Sequence, residues 1–275
     1  MLSDGRLRDL ADRLATVPGV RAVVLGGSRA RGDATPESDV DLGLYYRPPL
    51  DVDALGAVAR EVAGPDARVT APGEWGPWVD GGGWLHVDGT AVDLLYRDLD
   101  RVHHAWAEAQ QGRFAWHAQV GHPLGVPSFA YAGEVAVAVV LTDPSGEVTA
   151  LHEAASTYPP RLRDAVVAGL WEAGFSLDTA AKAVSRADSA YVAGCLFRAV
   201  LLQAHALLAD AGRWVTNEKG AVAAAGRLTG APSAFAARAH ALCAEVGGTP
   251  DALRATLTAA RDLLAETSAA CGVTS

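Results

Sequence analysis

Residues 26–41 read GGSRARGDATPESDVD. An apolar, β-branched run, VRAVVL at 20–25, leads into this stretch, and a second run, VDLGLYY at 40–46, leads out of it. Both runs have the composition of buried strands. The two glycines and the serine break the first strand and open a short helix or a turn over SRARGDA. Asp39 and Asp41 stand one residue apart, and residues two apart in a strand share a face. The pair is therefore expected to project together. Asp41 sits between Val40 and Leu42, and a carboxylate inside an apolar strand is costly unless something compensates it.

Working outward, residues 3–17 place Leu7, Leu10, Leu14 and Val17 at helical spacing, with Ser3 or Asp4 as the cap and Pro18-Gly19 as the stop. After the second strand, Pro48-Pro49 ends the run and 51–63 reads as a helix. The segment 67–84 is rich in Gly, Pro and Trp and reads as loops or short strands. WLHVDGTAVDLLYRD, residues 84–98, forms two strands around the hairpin signal Asp88-Gly89. Asp93 lies in the second of them, flanked by Val92 and Leu94. Residues 99–112 are helical in pattern, and 113–148 are mixed, with turns at His122-Pro123 and Asp143-Pro144.

From Pro159 the chain reads as nearly all helix, in segments near 160–173, 176–186, 188–211, 218–229, 232–246 and 250–270. The expected fold class is α+β. A first domain over 1–112, a mixed sheet with helices, precedes a mostly helical C-terminal domain over 113–275, a bundle.

Half of the 275 residues are hydrophobic, enough for a sizeable core. No uninterrupted apolar run reaches the roughly 18 residues of a membrane span. The N-terminus lacks the apolar core of a signal sequence, so the expected location is cytoplasmic, with no membrane partner. Cys195, Cys243 and Cys271 are odd in number and far apart, which argues against a disulfide framework or a zinc knuckle. The net charge of −9 disfavours a nucleic-acid footprint, which needs a basic face. A nucleotide remains compatible, because a few basic groups and metal ions can hold it.

Asp39, Asp41 and Asp93 are then three carboxylates expected on neighbouring strands. Converging on one face, they repel one another, and divalent cations relieve that repulsion. Hard oxygen donors suit Mg²⁺, which binds one or two carboxylates together with substrate phosphates. A pair of such ions about 4 Å apart can activate an attacking oxygen and stabilise phosphoryl transfer. The glycine turn permits close approach of backbone N–H groups to phosphate oxygens. Gly26, Gly27 and the Ser28 hydroxyl are candidate triphosphate contacts, and Arg29 or Arg31 can neutralise charge. A surface pairing of one arginine with Asp33 or Glu37 is the competing reading. Ser38 either contacts phosphate or only starts the strand.

Gly27-Ser28, ten residues, Asp39-Val40-Asp41 and a later strand aspartate at Asp93 form a pattern that resembles the DNA polymerase β-like nucleotidyltransferase superfamily. The wording GGSRARG…SDVDL is similar to the bacterial aminoglycoside adenylyltransferase-like branch, and the motif match covers roughly 20–97. The resemblance implies that the Gly-Ser turn grips an NTP, that Asp39 and Asp41 hold two Mg²⁺ ions, and that Asp93 joins them or acts as base. It further implies ATP or another NTP as co-substrate and a hydroxyl of a small-molecule acceptor, such as an aminoglycoside, as the nucleophile. WVTNEKGAVAAAGRL, residues 214–228, looks like the start of a bundle helix in this branch. There Lys219 is assigned to the triphosphate and Asn217 to the helix cap.

Other candidates are weaker. Trp75, Trp78 and Trp84 either line a substrate pocket or belong to a core. Of the three, Trp84 is the candidate substrate residue. Glu134, beside an apolar run, is a second candidate for the base or a substrate anchor. His103, His104, His117 and His122 show no ligand spacing. Two rivals stand beside the small-molecule reading: the same chemistry on a protein or tRNA acceptor, as in toxin–antitoxin systems, and a catalytically retired nucleotide-sensing module.

Overall fold

The computed structural model describes residues 2–32, 34–35 and 38–273. The chain divides into two compact units: Met1–Glu108 with Phe114–Thr157, and Ala109–Arg113 with Tyr158–Ser275. The division differs from the break after residue 112 expected from sequence, because the segment 114–157 packs with the first unit.

In the first unit, α1 (Asp4–Ala15) is capped by Ser3, whose hydroxyl accepts from the Arg6 N–H. Then follow β1 (Val20–Leu25), α2 (Gly27–Arg31), β2 (Val40–Tyr46), α3 (Val52–Ala63), β3 (Gly82–Val87) and β4 (Thr90–Asp98). Next come α4 (Leu99–Gln110), the hairpin β5 (Trp116–Gln119) and β6 (His122–Pro127), α5 (Ala130–Val137), β7 (Val139–Thr142) and α6 (Glu147–Ala155). Five strands form one mixed sheet in the order β3-β4-β2-β1-β7. β2 and β4 run parallel, and the other pairings are antiparallel. The parallel pair is linked through α3, as a crossover requires.

The two faces of the sheet are built differently. On one, Val40, Leu42, Leu44 and Tyr46 of β2 join Val92, Leu94 and Tyr96 of β4 and Leu85 and Val87 of β3 in a buried cluster with α1 and α3. The other face carries Ala22 and Val24 of β1 and Tyr45 of β2, packed with Leu99 and Val102 of α4, Tyr131 and Val135 of α5 and Val148 and Leu151 of α6. Alternation along each strand decides which residue goes to which face. Asp41 and Asp93 fall on the second face, in step with Tyr45.

The second unit is helical, with α7 (Pro160–Ala168), α8 (Leu170–Ala181), α9 (Ser189–Asp210), α10 (Ala221–Gly226), α11 (Phe235–Ala244) and α12 (Pro250–Ala270). The fold class is thus α+β, a mixed sheet with helices followed by a helical C-terminal region. The first helix of this unit ends at Gly169 rather than near residue 173. Gly174, where sequence reading placed the gap, lies inside α8. α9 is its central element, with Leu196, Ala199, Ala204 and Ala206 almost fully buried. Its length and mean hydropathy of 1.7 pass the test for a membrane span, but 72% of the apolar window is buried inside the protein, as in a core helix. Gln203 and Thr267, both wholly buried, satisfy each other across α9 and α12 through a 3.0 Å hydrogen bond.

Candidate active site

The parallel register sets Asp41 directly opposite Asp93. On the other side of Asp93, the antiparallel register sets Trp84 opposite it. On the other side of Asp41, the Gly26 N–H donates to the Asp41 carbonyl at 2.8 Å and carries the ladder into the glycine turn. A single row therefore crosses the sheet: Gly26, Asp41, Asp93, Trp84. Cross-strand partners share a face, so the two carboxylates project side by side.

Gly27 adopts φ +60°, and a Cβ there would lie 2.6 Å from Asp41 Cγ and overlap Oδ2. The backbone of the turn is pressed against the carboxylate, and only glycine permits it. Burial and then the charge of Asp39 raise the Asp41 pKa, while Arg31 opposes the rise. Burial, followed by the charges of Asp41 and Asp93's other neighbour Asp39, pushes Asp93 up to about 6. The raised values are the electrostatic signature of part-buried carboxylates crowded together with too little countercharge to offset burial and repulsion.

Asp39 lies just before β2 rather than within it, and it is exposed. Arg29 holds this approach in place: its Nε donates to the Asp39 carbonyl at 3.0 Å and its guanidinium to the Ser38 carbonyl at 2.6 Å. Sequence reading assigned Arg29 to phosphate or to a surface pairing. The partners proposed for that pairing, Asp33 and Glu37, lie outside the described residues. Ser38 folds into its own turn, its hydroxyl accepting from the Thr35 N–H at 2.9 Å. Ser28 is half-buried in the first turn of α2.

Residues 7–68 match the family model described as the nucleotidyltransferase domain. The match takes in the glycine turn, Asp39 and Asp41. These 62 residues are thus similar to a nucleotidyltransferase domain. Asp93 lies beyond the matched residues and enters through its register with Asp41. Comparison with curated proteins finds no match. Among solved structures, the chain is similar to a "nucleotidyltransferase-like protein from Exiguobacterium sibiricum 255-15", at 12% identity and a TM-score of 0.47, over 96% of this chain and 75% of that one. So distant a likeness carries no function across.

Among the described residues, no three His, Cys, Asp or Glu side chains stand close enough to hold one metal ion unaided. The donor chemistry nevertheless fits a hard cation. Asp41 and Asp93 offer adjacent carboxylates whose pKa values are raised first by burial and then by neighbouring carboxylates, Asp39 acting on both and Asp41 on Asp93, and Mg²⁺ sites of this kind take further ligands from substrate phosphates.

Glu134 of α5 is engaged by Arg97. The buried guanidinium donates to both carboxylate oxygens, through Nε to Oε2 and through its second arm to Oε1 at 2.8 Å. Arg97 shares the face of Asp93, four residues on along β4, and its guanidinium carbon lies 5.4 Å from the centre of the Tyr131 ring. The pair ties α5 to the sheet, and its two charges act in opposite directions on Asp41. Both oxygens of Glu134 are thus taken up by charge-assisted hydrogen bonds to Arg97, which leaves Asp93 as the candidate base.

The tryptophans divide. Trp78 stacks on His117 at 3.7 Å and borders the second core cluster. Trp84 is 67% exposed and stacks on Trp75 at 4.3 Å between ring centres. The hairpin β5–β6 braces this loop: Gln119 donates to the Trp75 carbonyl at 2.7 Å and accepts from the Val79 N–H at 3.2 Å. No local sequence signal announces that brace.

Lys219 belongs to the second unit, in the turn before α10. Asn217 does not cap that helix. Its side chain accepts from the Lys219 N–H at 2.9 Å, and Gly220, at φ +77°, occupies the cap position.

Proposed function

We propose that the chain transfers a nucleoside monophosphate from an NTP, ATP first among them, to a hydroxyl of a small ring-bearing acceptor with cationic groups, an aminoglycoside-like compound. The observation that carries the reading is the row in which Asp41 and Asp93 stand as register partners beside the glycine turn. Asp39, Asp41 and Asp93 hold the divalent cations, two Mg²⁺. When bound, these neutralise phosphate charge and activate the attacking oxygen.

The Gly27 backbone N–H and the Ser28 hydroxyl face the triphosphate, and Gly26, whose own N–H is taken by the Asp41 carbonyl, lets the phosphates pass close to the turn because it has no side chain. Arg31, whose charge already acts on Asp41, offsets phosphate charge nearby, and Ser38, where the strand begins, is a candidate contact of the same ligand. The acceptor oxygen bonds to the α-phosphorus as the bond to the bridging oxygen of pyrophosphate breaks. Asp93 receives the hydroxyl proton. The acidic surface steers a cationic acceptor, and the setting is cytoplasmic.

The test is pyrophosphate release and transfer of label from α-labelled ATP in the presence of Mg²⁺. Kanamycin, streptomycin, bulk tRNA and cell protein serve as separate acceptors. Label on the small molecules supports the reading, and label on tRNA or protein replaces the acceptor class. Asp41→Asn is expected to lower release by about a thousandfold, in the range seen when transition-state charge stabilisation is removed. Unchanged release in that variant would refute the assignment of the carboxylates, and no release from the native chain with any acceptor would leave only a nucleotide-sensing role.

A further inference from the structure

We infer that Trp84, backed by Trp75, is the platform on which the acceptor's ring stacks. The inference rests on the nucleotidyl-transfer reading above and adds the location and chemistry of the acceptor subsite. Trp84 stands opposite Asp93 in the sheet register, and two thirds of it is open to solvent. What sets Trp84 apart from other exposed aromatics such as Trp171 is its place: it presents its ring at the end of the row that holds the carboxylates. One side of it is supported by the Trp75 ring, 22° from parallel. Trp75 in turn is seated closely: a Cβ on Gly82 would lie 2.9 Å from its Cη2, and Gln119 of the β5–β6 hairpin holds its carbonyl. The platform is built by three segments rather than being a stray surface side chain.

The order of the row assigns its ligand. In an in-line displacement the attacking and leaving oxygens lie on opposite sides of the phosphorus. The leaving pyrophosphate stays with the glycine turn, at the Gly26 end. The attacking oxygen therefore arrives from the far end, past Asp93, where Trp84 stands. The nucleoside hangs from an equatorial oxygen of the same phosphorus, off this axis, so its base is not placed over Trp84. An indole face binds the flat side of a ring and attracts ammonium groups, and the exposed carboxylate Glu74 adjoins Trp75. The fitting class is a ring-bearing alcohol with ammonium or guanidinium groups.

The experiment is calorimetric titration of the full chain and of Trp84→Ala and Trp84→Phe. The probes are the Mg²⁺ complex of an ATP analogue with a methylene bridge between the α- and β-phosphorus, then kanamycin and streptomycin in its presence. Circular dichroism verifies that each variant is folded. Trp84→Ala is expected to weaken at least one cationic ring probe by about tenfold, the size of one cation–π or stacking contact. The analogue's affinity is expected to stay within about twofold, and Trp84→Phe to recover most of the loss. The inference is overturned if Trp84→Ala weakens the analogue rather than the ring probes, if it changes neither, or if neither ring probe binds the native chain. Failure of the analogue itself to bind the native chain strikes the transfer reading, independently of Trp84.

Discussion

The two faces of β2 and β4 are made by the same strands and obey opposite rules. On one, Leu42, Leu44, Leu94 and Tyr96 are fully buried, and each contributes by leaving water. On the other, one residue away, Asp41 and Asp93 stand side by side, half-buried and mutually repelling. The apolar face stabilises the sheet, and the acidic face spends part of that stability on a charge arrangement that a cation and a phosphate can complete. Neighbouring residues on one strand should therefore respond to mutation in opposite ways.

Asp93→Asn and Leu94→Ala test that contrast most directly. Asp93→Asn is expected to lower nucleotidyl transfer by about a hundredfold to a thousandfold, on the order of 3–4 kcal/mol of transition-state stabilisation. The same change should leave denaturant stability unchanged or raised. Leu94→Ala empties a fully buried site and should cost about 3 kcal/mol in chemical denaturation, with the chemistry of the remaining folded molecules retained. If the two variants lose stability equally, the contrast between faces is wrong.

Gly27→Ala comes next. The new methyl meets the Asp41 carboxylate and the backbone is at positive φ, so destabilisation of about 1–2 kcal/mol is expected, with activity falling as Asp41 is displaced. Gly32, also at positive φ but with open space around it, is the control: Gly32→Ala should carry the backbone penalty without the displacement. Arg29→Ala removes two hydrogen bonds to the Ser38 and Asp39 carbonyls. About 1 kcal/mol is expected in a denaturation curve, together with a rise in the Mg²⁺ concentration needed for half-maximal transfer.

The smallest expected effect is on stability against pH. Asp93 titrates near 6 in the folded chain, above the ordinary aspartate value of 3.8. Between these values the folded state holds a proton that the unfolded state has released. Stability without added metal should therefore fall as pH rises from about 4 to about 6 and then level off. Discounting for solvent exposure, the change is on the order of 1 kcal/mol. Asp93→Asn should flatten that part of the profile, and a slope unaltered by the substitution would contradict the assignment.

The most legible parts of the sequence were those where periodicity and punctuation agree over a long span. α1, β1, β2, α3, the β3–β4 hairpin and α12 all combine a clear pattern with a cap, a turn or a proline. The segment 113–148 was not legible in the same way. β7 has four residues, and what makes it a strand is its pairing with β1, which no local pattern announces. That pairing is also why the first unit extends through Thr157. The gap near residue 174 was misplaced because a glycine tolerated inside a helix looks the same in sequence as one that ends it. Arg29 was read through its charge alone, since its real partners are backbone carbonyls nine and ten residues away.

By itself, the sequence determined the carboxylate inventory, the glycine turn and the alternation that sends Asp41 and Leu42 to opposite faces. These are local properties, carried by residue type and a two-residue period. Only the tertiary structure decided that Asp41 and Asp93 are register partners, that Glu134 is held by Arg97, and that Trp84 stands next in the row on a ring of its own kind. Register between strands far apart in the chain is set by how whole faces pack, and no short stretch of sequence contains that information.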